Sequence, residues 1–274
     1  MPRIALFQSC TGIDPEANGA ALVAAIGRAA EGGAAMLFTP EMSGLLDGDR
    51  DRSANLIRPE DEDVVLSAVR KAAAAHGIWV HLGSLALSGD DGKKINRAFV
   101  IDPTGAIAGR YDKMHLFDVD LPTGESWRES AAYRAGDAPV VVRDTPVGTL
   151  GLTICYDLRF PAIFERLAEA GAQTIAVPAA FTVPTGRAHW HVLLRARAIE
   201  AGLFVVAAAQ SGTHQDGRAT FGHSLVVDPW GEVLVDGGDG EKLLFADIEL
   251  SRIDEVAARI PVLSHRRPIP PVGD

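Results

Sequence analysis

Cysteine is nearly absent from this chain: its 274 residues contain two, Cys10 and Cys155. Two thiols cannot staple a fold of this size, so a disulfide framework is excluded and a reducing compartment, by default the cytoplasm, is expected. Positive charge is also in deficit. Lys and Arg number 26 against 36 Asp and Glu, a formal net charge of -10, which does not suit a nucleic-acid backbone or an anionic membrane surface. No apolar run approaches the roughly 18 residues of a membrane span. Met1-Pro2-Arg3 leads at once into the apolar run Ile4 to Phe7, without a signal-peptide pattern. Dinucleotide G-x-G-x-x-G, P-loop and C-x-x-C motifs are missing. So are fixed-period repeats and low-complexity linkers, and one domain is therefore expected.

What the chain does have is apolar side chain, 47% of its residues, enough for a sizeable core. Arg3 to Ser9 reads as a strand. Asp14-Pro15 then opens a helix, with Asp as N-cap and Pro at the first helical position. Leu22, Ala25, Ile26 and Ala29 recur at i, i+3, i+4, i+7, and Gly32-Gly33 stops the helix. Ala35 to Phe38 is a second strand, ending in Thr39-Pro40-Glu41, a carboxylate at a strand terminus. Residues 43–58 read as a polar loop, 61–76 as a helix closed by Gly77, and 78–87 and 96–101 as strands. Asp102-Pro103-Thr104-Gly105 is a β-turn signature, and Asp228-Pro229-Trp230-Gly231 repeats it. Further strands are expected at 140–142, 148–154, 174–177 and 203–208, and a helix at 187–201. Strand–helix alternation combined with two such hairpins predicts two sheets sandwiched between helices.

Cys155 ends the apolar, β-branched run Gly148 to Ile154, and Pro161 suits the first turn of a helix that Gly171 stops. A thiol at a strand-to-helix turn stands at the rim of a sheet, and the positive helix end beside it is expected to favour thiolate. The logic is that of a nucleophile elbow, although G-x-S-x-G is absent. Glu41 and Lys113 also stand at strand ends. A carboxylate, an ammonium and a thiol are a complete set for attack on an amide carbon: one takes the proton, one steadies the oxyanion, one attacks. Spacing alone does not bring the three together, and each taken singly reads as a surface charge or a packed thiol.

Three segments carry a resemblance over nearly the whole chain: Phe38-Thr39-Pro40-Glu41, Tyr111-Asp112-Lys113-Met114-His115-Leu116-Phe117-Asp118, and Gly151 to Pro161 around Cys155. In their order and spacing they resemble the nitrilase superfamily of carbon–nitrogen hydrolases. The resemblance implies an α/β fold, a four-layer αββα sandwich, over residues 1–263, with the Pro- and Arg-rich tail 264–274 disordered or at a subunit interface. It implies Glu41 as general base, Lys113 as oxyanion stabiliser and Cys155 as nucleophile, with no metal or organic cofactor. A second, substrate-positioning carboxylate would be Glu129, with Glu125 the lesser candidate. Tyr156, Arg159, Phe181, Thr182 and Thr185 would contact a small-molecule amide substrate, and the assembly would be a homodimer.

The stretches Pro178 to Trp190, Leu194 to Glu200 and Ala207 to His214 resemble the Nit-type branch, which contains the deaminated glutathione amidases. The expected reaction is cleavage of a 2-oxoglutaramyl amide. An ω-amidase, a nitrilase or a carbamoylase could use the same triad, and a metabolite-binding protein without turnover is the reading from another class. Three positions depart from the branch: His191 and Ala162 stand where Glu is usual, and Ala201 where Asn is. Arg159 has a plainer reading as a partner of Asp157 or Glu165, against which stands its fit to a carboxylate. His189 and His191, at i, i+2 on a helix, point to different faces and do not form a metal pair. Cys10 reads as a packed thiol, and Trp230 as an anchor for its hairpin or the dimer.

Overall fold

The first strand, Arg3–Gln8, shows how the layers arise. Ile4 and Leu6 belong to one core and Ala5 and Phe7 to another, as the two-residue period of a strand requires when both its faces are covered. Met36 and Phe38 likewise part from Leu37, and Ala98 and Val100 from Phe99 and Ile101. One face packs on helices Pro15–Glu31 and Val64–His76, through Leu22, Ile26, Val65 and Val69. The other joins a larger cluster containing Leu150, Leu152 and Val205 of a second sheet, and Phe164, Trp190 and Leu194 of helices Pro161–Glu169 and Val183–Ala201. The result, in a computed structural model that describes residues 1–120, 124 and 126–272, is a four-layer αββα sandwich.

Each sheet has six strands. The first runs Lys242–Asp247, Arg3–Gln8, Met36–Phe38, Trp79–Ser88, Lys94–Ile101, Ile107–Asp112; the second runs Val233–Asp236, Leu225–Val227, Phe204–Ala207, Thr174–Ala176, Gly148–Leu152, Val140–Thr145. The three central strands of the first sheet are parallel, as are those of the second, and antiparallel strands flank them. Glu41 follows the first sheet's Met36–Phe38, and Cys155 the second sheet's Gly148–Leu152. The carboxyl ends of parallel strands are where open α/β sheets hold ligands.

Several elements differ from expectation. Residues 43–58 contain a short helix, Arg50–Ala54, and bury Leu45 and Ile57 against Ala86. The helix expected at 187 starts at Val183, because Pro184 suits its first turn. Lys242–Asp247, helix Ser251–Arg259 and two hairpins, Asp118–Asp120 with Ser126–Arg128 and Ser211–Thr213 with Ala219–Phe221, were not foreseen. From Ser264 to Val272 no helix or strand forms, and Arg266 reaches back to Glu165 at 3.4 Å.

Gly83 lets the backbone before Glu41 lie against Trp79–Ser88. Its N–H donates to Thr39 Oγ1 at 3.0 Å, and a Cβ there would collide with the carbonyl oxygens of Thr39 and Pro40. Gly83→Ala is expected to cost about 1–3 kcal/mol by urea unfolding, the range for overpacking a tight site, and to lower turnover by displacing Glu41. Unchanged stability and turnover would show that the contact is dispensable.

Candidate active site

Cys155 sits where the chain leaves the second sheet, and buried polar contacts hold it there. Thr153 Oγ1 donates to the Ala176 carbonyl at 2.8 Å and the Cys155 N–H to that of Pro178 at 2.9 Å. Cys155 has φ +49°, in the left-handed region that a non-glycine residue adopts only when its surroundings impose it. The imposing group is Asp157. Its buried carboxylate accepts from the Ile154 N–H at 2.8 Å, the Tyr111 hydroxyl at 2.7 Å and the His115 N–H at 3.0 Å, and pairs with His115 Nδ1 at 2.7 Å. A single tight turn, Cys155–Arg159, separates the thiol from helix Pro161–Glu169. Cys155 is therefore not at that helix's first turn, where the dipole would act on it most strongly.

The structure brings Glu41, Lys113 and Cys155 together, all buried, although they come from both sheets. Lys113 Nζ lies 2.9 Å from Glu41 Oε1 and 2.9 Å from Glu129 Oε2. Cys155 and Glu41 are near enough for each to shift the other's ionisation. Asn96 Nδ2 donates to Glu41 Oε1 at 3.0 Å and to Glu129 Oε1 at 3.3 Å, while the Ala180 N–H donates to Glu41 Oε2 at 3.0 Å. Glu129 also accepts the Phe117 N–H at 2.6 Å. Asn96, and Gln210, which donates to the Glu41 carbonyl at 2.9 Å, were missed at the sequence level. The available signal was an amide side chain within or just after an apolar strand.

Protonation follows from this geometry. Burial opposes ionisation of Glu41, but Lys113, the Cys155 thiol and Asn96 outweigh it and hold the carboxyl below its ordinary 4.5. Burial would also discharge Lys113, yet Glu129 and Glu41 raise it well above 10.5. Burial and the Glu41 carboxylate push the Cys155 thiol well above 9.0, with Lys113 opposing only in part. The geometry runs against the expected resting thiolate: burial and the neighbouring Glu41 carboxylate favour the neutral thiol.

The cluster opens into a cavity of about 730 Å³ whose wall includes Glu129, Tyr156, Arg159, Phe181, Thr182 and Thr185. Arg159 pairs with neither Asp157 nor Glu165. Its guanidinium lies 3.3 Å from His189 Nδ1 and over the rings of Phe181 and Tyr156, at 5.4 and 5.9 Å from their centroids. The Thr182 and Thr185 hydroxyls hydrogen-bond each other at 2.8 Å. Glu125 lies outside the described residues. His191, Ala201 and Ala162 do not line the cavity. His191 instead joins His223 on the Asp236 carboxylate, the one trio of potential metal ligands found among the described residues. Cys10 is half-buried, near His214 and the Thr213 carbonyl, rather than fully packed.

Residues 3–258 match the family described as carbon-nitrogen hydrolase. The chain belongs to that family. It is 38% identical to a deaminated glutathione amidase of Yersinia enterocolitica, over 97% of this chain and 93% of that protein. It is 40% identical to the nitrilase and fragile histidine triad fusion protein NitFhit of Caenorhabditis elegans, over 96% of this chain but only 60% of the fusion. The NitFhit crystal structure superposes with a TM-score of 0.89, at 39% identity, covering 97% of this chain and 65% of that one. A glutamate-to-glutamine mutant of the amidase from Nesterenkonia sp. AN1 is 29% identical with a TM-score of 0.81, the match covering 97% of this chain and 94% of that one; in that mutant the acetamide moiety of fluoroacetamide is added covalently to the active-site cysteine. As a carbon–nitrogen hydrolase, this enzyme has a chemically suitable cluster at the floor of its cavity.

The neutral-thiol assignment can be measured. The difference in ultraviolet thiolate absorbance between wild type and Cys155→Ala should show no step from about pH 6 to about pH 9, because a thiol with raised pKa stays protonated there. Glu41, with its pKa depressed, stays ionised until the pH falls below its ordinary value, so kcat/KM should be flat over the same window. A full thiolate step inside it would overturn the assignment.

Proposed function

We propose that this hydrolase cleaves the amide bond of 2-oxoglutaramyl compounds, deaminated glutathione foremost, through a thioester on Cys155. The observation that carries the reading is the buried contact of a neutral thiol, an ionised carboxylate and a locked ammonium at the floor of one cavity. Glu41 takes the Sγ proton as sulfur bonds to the carbonyl carbon. Proton transfer is uphill in the resting site and becomes favourable only as that bond forms. Lys113 and the backbone N–H after Cys155 stabilise the oxyanion. Glu41 returns the proton to the departing nitrogen, the amine leaves, and Glu41 then removes a proton from the water that attacks the thioester. The acid departs and the thiol is restored. Glu129 orients Lys113 and borders the substrate. The amidase names of relatives support the reaction class, and the cysteine adduct in a mutant of the Nesterenkonia amidase supports a nucleophilic cysteine.

Arg159 would hold the α-keto-carboxylate, with Tyr156 and Phe181 stacking about it and Thr182 and Thr185 adding hydroxyl contacts. Its guanidinium is charged, faces the cavity and has no carboxylate partner among the described residues. Arg159→Lys keeps the charge but loses the two-pronged grip. Its kcat/KM should fall by about 2 kcal/mol in transition-state binding on 2-oxoglutaramyl compounds, with little change on amides lacking the carboxylate. Cys155→Ala should lose about 10⁴-fold or more on both. Equal losses on both classes in Arg159→Lys would make Arg159 structural and remove the substrate assignment.

A cytoplasmic setting is proposed from the two unpaired cysteines; no described helix is long and apolar enough to cross a membrane. A homodimer is proposed from the apolar groove lined by Ile199, Trp230, Ile253, Ile260 and Leu263, several of which are exposed in one chain. Light scattering at micromolar concentration should give twice the chain mass, and Ile199→Asp should give the monomer. A fully active wild-type monomer would overturn the dimer.

A further inference from the structure

The charges around the cavity do not cancel. Among the described residues, its carboxylates are already engaged: Glu41 and Glu129 by Lys113, Asp47 by Arg52, Asp216 by Arg218. Arg128 is taken by Asp120. Arg159 serves the acyl side in the reading above. That leaves Arg50 and Lys94, which line the same cavity without an ion-pair partner among the described residues. They lie close enough to repel. Burial first, and then the Arg50 charge, draw the Lys94 ammonium below its ordinary range, and Asp47 only partly offsets this. In a chain of net charge -10, two mutually repelling cations at a cavity wall call for an anion.

Their place in the fold says which end of the substrate that anion belongs to. Lys94 and Asn96 share a strand, Lys94–Ile101, and as i and i+2 they share its face, about 7 Å apart. Ile95 between them goes to the opposite core. Asn96 donates to Glu41, the residue proposed to hand the proton to the departing nitrogen. Lys94 is therefore one strand repeat outward from the centre that handles that nitrogen. Two extended residues span about 7 Å, the length of a dipeptide measured from its amine nitrogen to its terminal carboxylate. Arg50, in the short helix Arg50–Ala54, donates to the Arg128 carbonyl at 3.5 Å and brings the second charge to the same wall.

We infer that Arg50 and Lys94 form a second anion subsite that holds the terminal carboxylate of the departing amine, selecting dipeptide-like leaving groups. The subsite rests on the proposed cleavage of 2-oxoglutaramyl amides. It divides substrates of that acyl group by what they release. Cysteinylglycine can reach both cations, whereas the ammonia released from 2-oxoglutaramate cannot.

The test compares kcat/KM on deaminated glutathione, on its C-terminal glycinamide analogue and on 2-oxoglutaramate, for wild type, Arg50→Gln, Lys94→Gln and the double variant. Wild type should prefer the free carboxylate over the amide by about tenfold to a hundredfold, the range for charge-assisted contacts. In the double variant this ratio should collapse toward one, with each single variant between, and the loss on 2-oxoglutaramate should be several times smaller. A wild-type ratio near one, or parallel losses on all three substrates, overturns the subsite while leaving the proposed function standing. Absence of turnover on every 2-oxoglutaramyl compound overturns the proposed function, and the subsite with it.

Discussion

One buried ammonium organises the centre of this molecule. Lys113 is held between Glu41 and Glu129, so three charges of net -1 sit where water is largely excluded. Removing Lys113 would leave two buried carboxylates without a counter-charge, at a typical cost of about 3–5 kcal/mol. The remaining negative charge is spread over N–H donors from Asn96, Ala180 and Phe117. These donors come from a strand of the first sheet, the loop beyond the second sheet and the segment after Lys113, so the polar cluster ties the layers together at one end. The same arrangement sets the resting chemistry. A thiol beside an anion and deep in the protein is held toward its protonated form.

The turn at Cys155 depends on a second buried anion. Asp157 gathers the Ile154 N–H, the Tyr111 hydroxyl and His115 around one carboxylate. Tyr111 and His115 flank Lys113 in sequence, so Asp157 links the elements that carry the ammonium and the thiol. A left-handed backbone at a non-glycine residue costs of order 1 kcal/mol or more, and this network makes it persist. Gly83 performs the complementary task on the first sheet, where the absence of a side chain lets Thr39 and Pro40 approach.

How much of this was legible depended on whether the signal was local. The helix cap at Asp14 was legible because its carboxylate accepts from Glu16 and Ala17 within the same turn. The edge strand Lys242–Asp247 was not: its residues show no buried–exposed alternation, and its partner Arg3–Gln8 lies at the other end of the chain. The loop of residues 43–58 looked polar, yet its apolar minority is what packs. Asn96 and Gln210 are single amides whose partners are distant in sequence. Nothing near either one announces a catalytic neighbour.

By itself the sequence determined the layered α/β architecture, the strand-end positions of Glu41, Lys113 and Cys155, and, through three motifs in order, the carbon–nitrogen hydrolase family. Periodicity, turn residues and motif spacing are properties of short segments, and they survive in one dimension. Only the tertiary structure decided the state of the thiol. A helix end read from sequence favoured thiolate, but burial and a carboxylate contributed from more than a hundred positions away reversed it. It also decided which cations around the cavity lack a carboxylate among the described residues. Ionisation and pairing depend on solvent exclusion and on distances between charges, and both come into being only when the two sheets close over the site.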